Sequence, residues 1–132
     1  MPNIINDDFK NTLISRPGAE NLLGCLLCGT CTAGCPISEV DAEFNPRKIM
    51  RQVLAGMKHD VLSSDVLWRC YQCHTCVAHC PQDVRFADVI RALRDAAIEE
   101  NHFSRDIAEN VTQLDIEARK QRLEKIRNLF NT

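Results

Sequence analysis

All eight cysteines of the chain fall into two copies of one spacing. The first runs Cys25-x-x-Cys28-x-x-Cys31-x-x-x-Cys35-Pro36 and the second Cys70-x-x-Cys73-x-x-Cys76-x-x-x-Cys80-Pro81, with every cysteine recurring 45 residues later. Thr30 aligns with Thr75 and Ala33 with Ala78. Three thiols in one tight loop can wrap a small inorganic body, while a fourth arrives from elsewhere. Pro36 and Pro81 lack an amide hydrogen and favour an extended preceding cysteine, so the chain turns away as that fourth thiol is delivered. The small and hydroxyl residues suit a backbone that approaches closely and aims amides or hydroxyls at sulfur; equally, they permit a tight loop.

Each copy resembles the run by which bacterial-type ferredoxins hold a [4Fe-4S] cluster. In two-cluster ferredoxins the fourth cysteine of each run serves the other cluster. The resemblance therefore implies two [4Fe-4S] clusters with crossed ligands. Cluster 1 would take Cys25, Cys28, Cys31 and Cys80; cluster 2 would take Cys70, Cys73, Cys76 and Cys35. Three competing readings are weaker. Disulfides need an oxidising compartment, and the segment from Met1 to Asp8 shows no basic stretch followed by an apolar one. Structural zinc uses paired Cys-x-x-Cys units across a longer loop, without a third cysteine three residues on and a Cys-Pro. A thioredoxin-like pair would leave six cysteines unexplained and expects a preceding strand.

If all eight thiols serve two cubanes, no iron keeps an open position for a substrate, and the clusters should pass electrons. His59, His74, His79 and His102 are scattered, and no serine, lysine or carboxylate is spaced to complete a nucleophilic set. No catalytic residue is therefore expected. His74 and His79, inside the second loop, could instead tune a cluster through hydrogen bonding or protonation.

With 132 residues and a formal charge of -2, the chain reads as one small domain with extensions. Its 5% aromatic content and lack of a long apolar run point to neither nucleic-acid stacking nor membrane insertion. Folding should depend on the clusters, as small metal domains depend on their metal.

Helical spacing dominates between and beyond the loops. Asn45 as a cap and Pro46 at the first helical position precede Ile49, Met50, Val53, Leu54 and Met57, which predicts a helix from about Asn45 to Lys58. Ser63 or Ser64 can cap a short helix through Val66, Leu67 and Trp68. Asp83 can cap another, whose face holds Phe86, Val89, Ile90, Leu93 and Ala97. Strand alternation is absent, so the expected class is all-α.

Two arms flank this core. Residues 1–23 form an N-terminal arm in which Phe9, Leu13 and Ile14 suggest a short helix ended by Arg16-Pro17-Gly18. Residues 24–101 would be the two-cluster domain. Residues 102–132 form a C-terminal arm, where Ser104 can cap a long helix with Ile107, Val111, Leu114 and Ala118 on one stripe. The stripe then shifts to Leu123, Ile126 and Phe130. That arm either packs on its own domain or docks a partner.

From Gly24 to Glu99 the chain resembles the C subunits of heterodisulfide reductases, within the α-helical ferredoxin group. The likeness rests on the segments Cys25 to Pro36, Asn45-Pro46-Arg47-Lys48-Ile49, Val61 to Trp68, and Cys70 to Cys76. It implies an α-helical ferredoxin with two cluster-binding loops, serving as the non-catalytic electron-transfer subunit of a cytoplasmic oxidoreductase complex in anaerobic metabolism. It further implies two partners: a flavin/iron-sulfur subunit that donates electrons and a cysteine-rich catalytic subunit that reduces a disulfide. Iron–sulfur subunits of fumarate reductase or glycolate oxidase type are an alternative, as is a free, diffusing ferredoxin. The near-neutral charge and long arms argue against the free carrier. A cluster-based redox sensor would need an effector surface that no segment supplies.

Overall fold

The computed structural model describes residues 5–131, and among them no strand occurs. The fold is all-α, as expected. Eight α-helices run in order: α1 (Phe9–Leu13), α2 (Thr30–Ala33), α3 (Pro36–Val40), α4 (Pro46–Leu54), α5 (Lys58–Leu62), α6 (Thr75–His79), α7 (Phe86–Glu99) and α8 (Arg105–Phe130). Short 3-10 helices, Leu22–Gly24 and Asp65–Arg69, lead into the two cysteine loops. The chain divides into one compact unit that ends at His102 and a second that starts at Phe103.

The core of the first unit is apolar and built on α4 and α7. Ile49, Met50 and Val53 of α4 are buried, as are Val89, Ile90, Leu93 and Ala97 on the face that the spacing of α7 defines. α1 joins them: Phe9 and Leu13 are buried and α1 packs on α4, so these N-terminal residues belong to the same core.

α4 begins as its sequence dictates. Asn45 accepts the Lys48 amide at 3.0 Å through its side chain, and Pro46 needs no partner at the first helical position. The same Asn45 oxygen accepts the Thr32 hydroxyl at 3.0 Å, and that hydroxyl oxygen accepts the Arg47 amide at 2.8 Å. One cap thus ties α2 to α4. Asn45→Ala should cost about 1–2 kcal/mol, more than an isolated cap, and Asn45→Asp clearly less. Denaturant melts of the cluster-loaded protein under anoxic conditions measure both.

The expected helix to Lys58 stops at Leu54 instead. Gly56 adopts φ +77, which ends the helix, and its carbonyl accepts the Asn6 amide at 2.8 Å. A Cβ there would lie 2.6 Å from the Asn6 carbonyl oxygen. α5 then starts afresh with Met57 before it.

Of the two serines, Ser64 is the cap, accepting the Val66 amide at 3.2 Å, and the element it starts is a 3-10 helix. Arg69 at its end donates to Asp41 at 3.0 Å, Glu43 at 2.8 Å and Asp65 at 3.3 Å, pinning the segment before Cys70 to the α3–α4 connection. Asp83 is not the cap of α7. The helix starts at Phe86 behind Arg85, which has φ 64 and makes no side-chain cap bond. Asp83 itself has φ 51, and its carbonyl accepts the Asn21 side-chain amide at 2.9 Å. The chain is bent here because the Val84 amide turns back to the Cys80 sulfur at 3.5 Å.

Ser104 does precede α8, although its hydroxyl makes no cap bond. None of the 26 residues of α8 is buried.

Candidate metal centre

The exact repeat in sequence becomes a repeat in backbone conformation. Leu27 and Gln72, one residue before the second cysteine of each loop, have φ 53 and φ 58. Gly29 and His74, one residue after it, have φ 83 and φ 63. These left-handed residues bracket Cys28 and Cys73 and coil each loop inward. A non-glycine residue there is uncommon, so Leu27, Gln72 and His74 are held by their surroundings.

The coil aims donors at sulfur. The Leu27 amide points to Cys25 Sγ and the Gln72 amide to Cys70 Sγ, both at 3.4 Å. The Ser38 amide donates to Cys35 Sγ and the Val84 amide to Cys80 Sγ, both at 3.5 Å. Cys28 Sγ and Cys73 Sγ each lie 3.3 Å from the hydroxyl of Thr30 and Thr75. The aligned threonines therefore do reach sulfur. Ala33 and Ala78 are merely exposed.

α2 packs on α6, and this brings the loops together. Near the contact, a Cβ on Gly34 would meet the Thr75 methyl at 3.7 Å and the His79 ring at 3.8 Å. Two hollows result. One is lined by Cys25, Cys28, Cys31 and Cys80. The other is lined by Cys35, Cys70, Cys73 and Cys76. Phe86 lines both. Among the described residues no three His, Cys, Asp or Glu side chains close on a point as ligands of a single ion. The thiols stand around a space, and four thiols with amide donors around a space fit a cubane.

Burial differs from thiol to thiol. Cys70 and Cys76 are buried, whereas Cys28 and Cys73 are exposed. Burial pushes the Cys76 thiol up to about 11, and burial, with the nearby Cys35 adding to it, raises Cys70. Cys31 is raised by burial as well. The Thr30 hydroxyl lowers Cys28. Iron ligation needs thiolates, so loading releases protons and is favoured as pH rises.

Two arginines that the cysteine pattern does not announce hold the loops. Arg47 donates from Nε to the Leu27 carbonyl at 2.6 Å. Arg94 lies over the Trp68 ring at 5.1 Å and donates to the Leu67 carbonyl at 2.8 Å and to the Cys70 carbonyl at 2.9 Å. Such contacts span tens of residues and leave no local signature. Of the histidines, exposed His74 lines the second hollow, and His59 and His102 meet edge-on with ring centroids 5.6 Å apart.

A family model described as a 4Fe-4S dicluster domain matches residues 21–84, which contain both cysteine runs. The chain carries two [4Fe-4S] clusters. Among curated proteins it is 39% identical over 107 residues to the iron-sulfur C2 subunit of the CoB–CoM heterodisulfide reductase of Methanocaldococcus jannaschii, covering 76% of this chain and 56% of that protein. The chain is a homologue of the heterodisulfide reductase C subunits. A second of these, the iron-sulfur C subunit of the CoB–CoM heterodisulfide reductase of Methanopyrus kandleri, is 37% identical over 76% of this chain and 56% of its own length. The C2 subunit of the H(2)/formate:CoB-CoM heterodisulfide,ferredoxin reductase of Methanococcus maripaludis is 35% identical over 76% of this chain and 58% of its own. The chain thus spans little more than half the length of these relatives, which are named as parts of an oxidoreductase. Among the described residues no helix is long and apolar enough to cross a membrane.

Proposed function

We propose that the chain is the electron-transfer subunit of a cytoplasmic heterodisulfide-reductase-like complex, with no substrate site of its own. Its ligand sets would be crossed: Cys25, Cys28, Cys31 and Cys80 for cluster 1, and Cys70, Cys73, Cys76 and Cys35 for cluster 2. The observation that carries this reading is that all eight cysteines are used in two hollows sharing the Phe86 wall. No thiol is left over to act on a substrate.

When bound, the two clusters supply successive one-electron steps. The residues of the chain hold them and set their surroundings. The amides of Leu27, Ser38, Gln72 and Val84 donate to ligand sulfurs, which favours the more negative, reduced state. Phe44 and Phe86 close the second hollow with apolar surface that excludes water.

The partners would be a flavin/iron-sulfur subunit as donor and a cysteine-rich catalytic subunit as acceptor, one of them gripping α8. The chain purified anoxically from its source should bring both along. Cys73→Ala should abolish electron transfer across that complex while both partners stay bound. Deleting residues 115–132 should release a partner while both clusters remain. Full turnover by Cys73→Ala would sink the relay, and unchanged co-purification after the deletion would sink the docking role of α8.

A further inference from the structure

The surface beside cluster 1 carries charge that no ion pair among the described residues neutralises. Arg47, Lys48 and Arg51 of α4 are exposed and line one open hollow with Leu27, the second of the two residues between the first two cysteines. None of the three cations takes part in an ion pair among the described residues, although the chain is acidic overall at -2. Arg47 is fastened to the loop itself through the Leu27 carbonyl at 2.6 Å. Beside Arg47 the loop presents Leu26, 69% exposed, with Cys28 also exposed.

The second loop differs. Of the cations beside it, Arg69 is already held by Asp41, Glu43 and Asp65, and Arg94 donates to the Leu67 and Cys70 carbonyls. Tyr71, which occupies the place of Leu26 in the repeat, is 38% exposed. A cluster of exposed cations beside an exposed leucine, set against a cluster loop, is the complement of an acidic protein surface with apolar contacts.

We infer that the Arg47, Lys48 and Arg51 face is the docking surface for an acidic redox protein, and that electrons are exchanged with it through the first cysteine loop. This deepens the relay reading and rests on it. One electron leaves the iron–sulfur centre of the reduced acidic protein, which is oxidised, and enters the cluster of the first loop, which is reduced. No bond is made and no proton moves.

The test uses the full cluster-loaded chain and, as probe, a small acidic [2Fe-2S] ferredoxin reduced with dithionite and freed of excess reductant. Anoxic stopped-flow mixing gives the second-order rate constant. That constant should fall on the order of tenfold from low to high ionic strength. The pair Lys48→Glu with Arg51→Glu should lower it on the order of tenfold at low ionic strength and flatten its salt dependence. Lys48→Gln with Arg51→Gln should give an intermediate fall, and Lys10→Glu with Arg91→Glu, which lie on α1 and α7, should leave the rate unchanged.

Iron content and the electron paramagnetic resonance of the reduced variants show whether both clusters are intact. A chain with intact clusters that takes electrons at a rate blind to Lys48 and Arg51 overturns the docking surface and leaves the relay standing. Equal slowing by the Lys10 and Arg91 pair overturns it too, because net charge alone would then be at work. A chain that holds no reducible cluster overturns both readings.

Discussion

Cys35→Ala and Cys73→Ala, although they lie in different runs, should each remove the same cluster. Each single variant is expected to fall from about eight iron atoms to about four. Combining the two should still leave about four, since both thiols line the hollow that Cys70 and Cys76 complete. Combining Cys35→Ala with Cys28→Ala, both from the first run, should leave almost none. Ligation confined to each run would reverse the two double variants, so iron and acid-labile sulfide after anoxic purification separate the schemes. The expectation follows from where the fourth thiols sit. Cys80 lines the hollow of the first loop, and Cys35 is close enough to Cys70 for its charge to act there.

Phe86→Ala should be the most damaging substitution outside the cysteines. The ring is 3% exposed, lines both hollows and meets Phe44 edge-on, with centroids 6.4 Å apart. Truncating a buried phenylalanine costs about 3–5 kcal/mol from lost transfer energy and the cavity left behind. Phe86→Leu keeps most of the volume and should cost about 1.5 kcal/mol or less. The same change at Phe130, 83% exposed, should stay within about 0.5 kcal/mol. Anoxic denaturant melts of the loaded proteins give the three values. Oxygen should also bleach the clusters of Phe86→Ala faster, because the wall that keeps water from both sites is gone.

The cysteine spacing alone led to two four-thiol sites, and the hollows of the structure gather the same sets that crossing would use. The covalent pattern was legible because ligands must recur at fixed short spacings. Asn45-Pro46 likewise marked the start of α4, since a cap acts on amides three residues away. Gly56 was a stop signal that the apolar run through Met57 outweighed; only its pairing with Asn6 reveals why the helix cannot continue. Asp83 had the chemistry of a cap but not the backbone, because the chain there is bent around the Cys80 sulfur. The left-handed Leu27 and Gln72 could not be anticipated, as their residue types disfavour it, whereas His74 stands where the repeat has Gly29. Arg47 and Arg94 were hidden for a different reason. Each reads as a surface cation until the fold places a loop carbonyl in front of it.

α8 has no buried residue along its 26 positions, and its backbone is about 39 Å of hydrogen-bonded ladder. A helix that fully buries no side chain opens more easily than one in a core, and its amides exchange hydrogen correspondingly faster. Deuterium uptake across Arg105–Phe130 therefore works as a built-in gauge of assembly. It should be fast in the isolated chain, while Leu93 and Ile90 stay protected, and should slow only when a partner protein lies over the stripe.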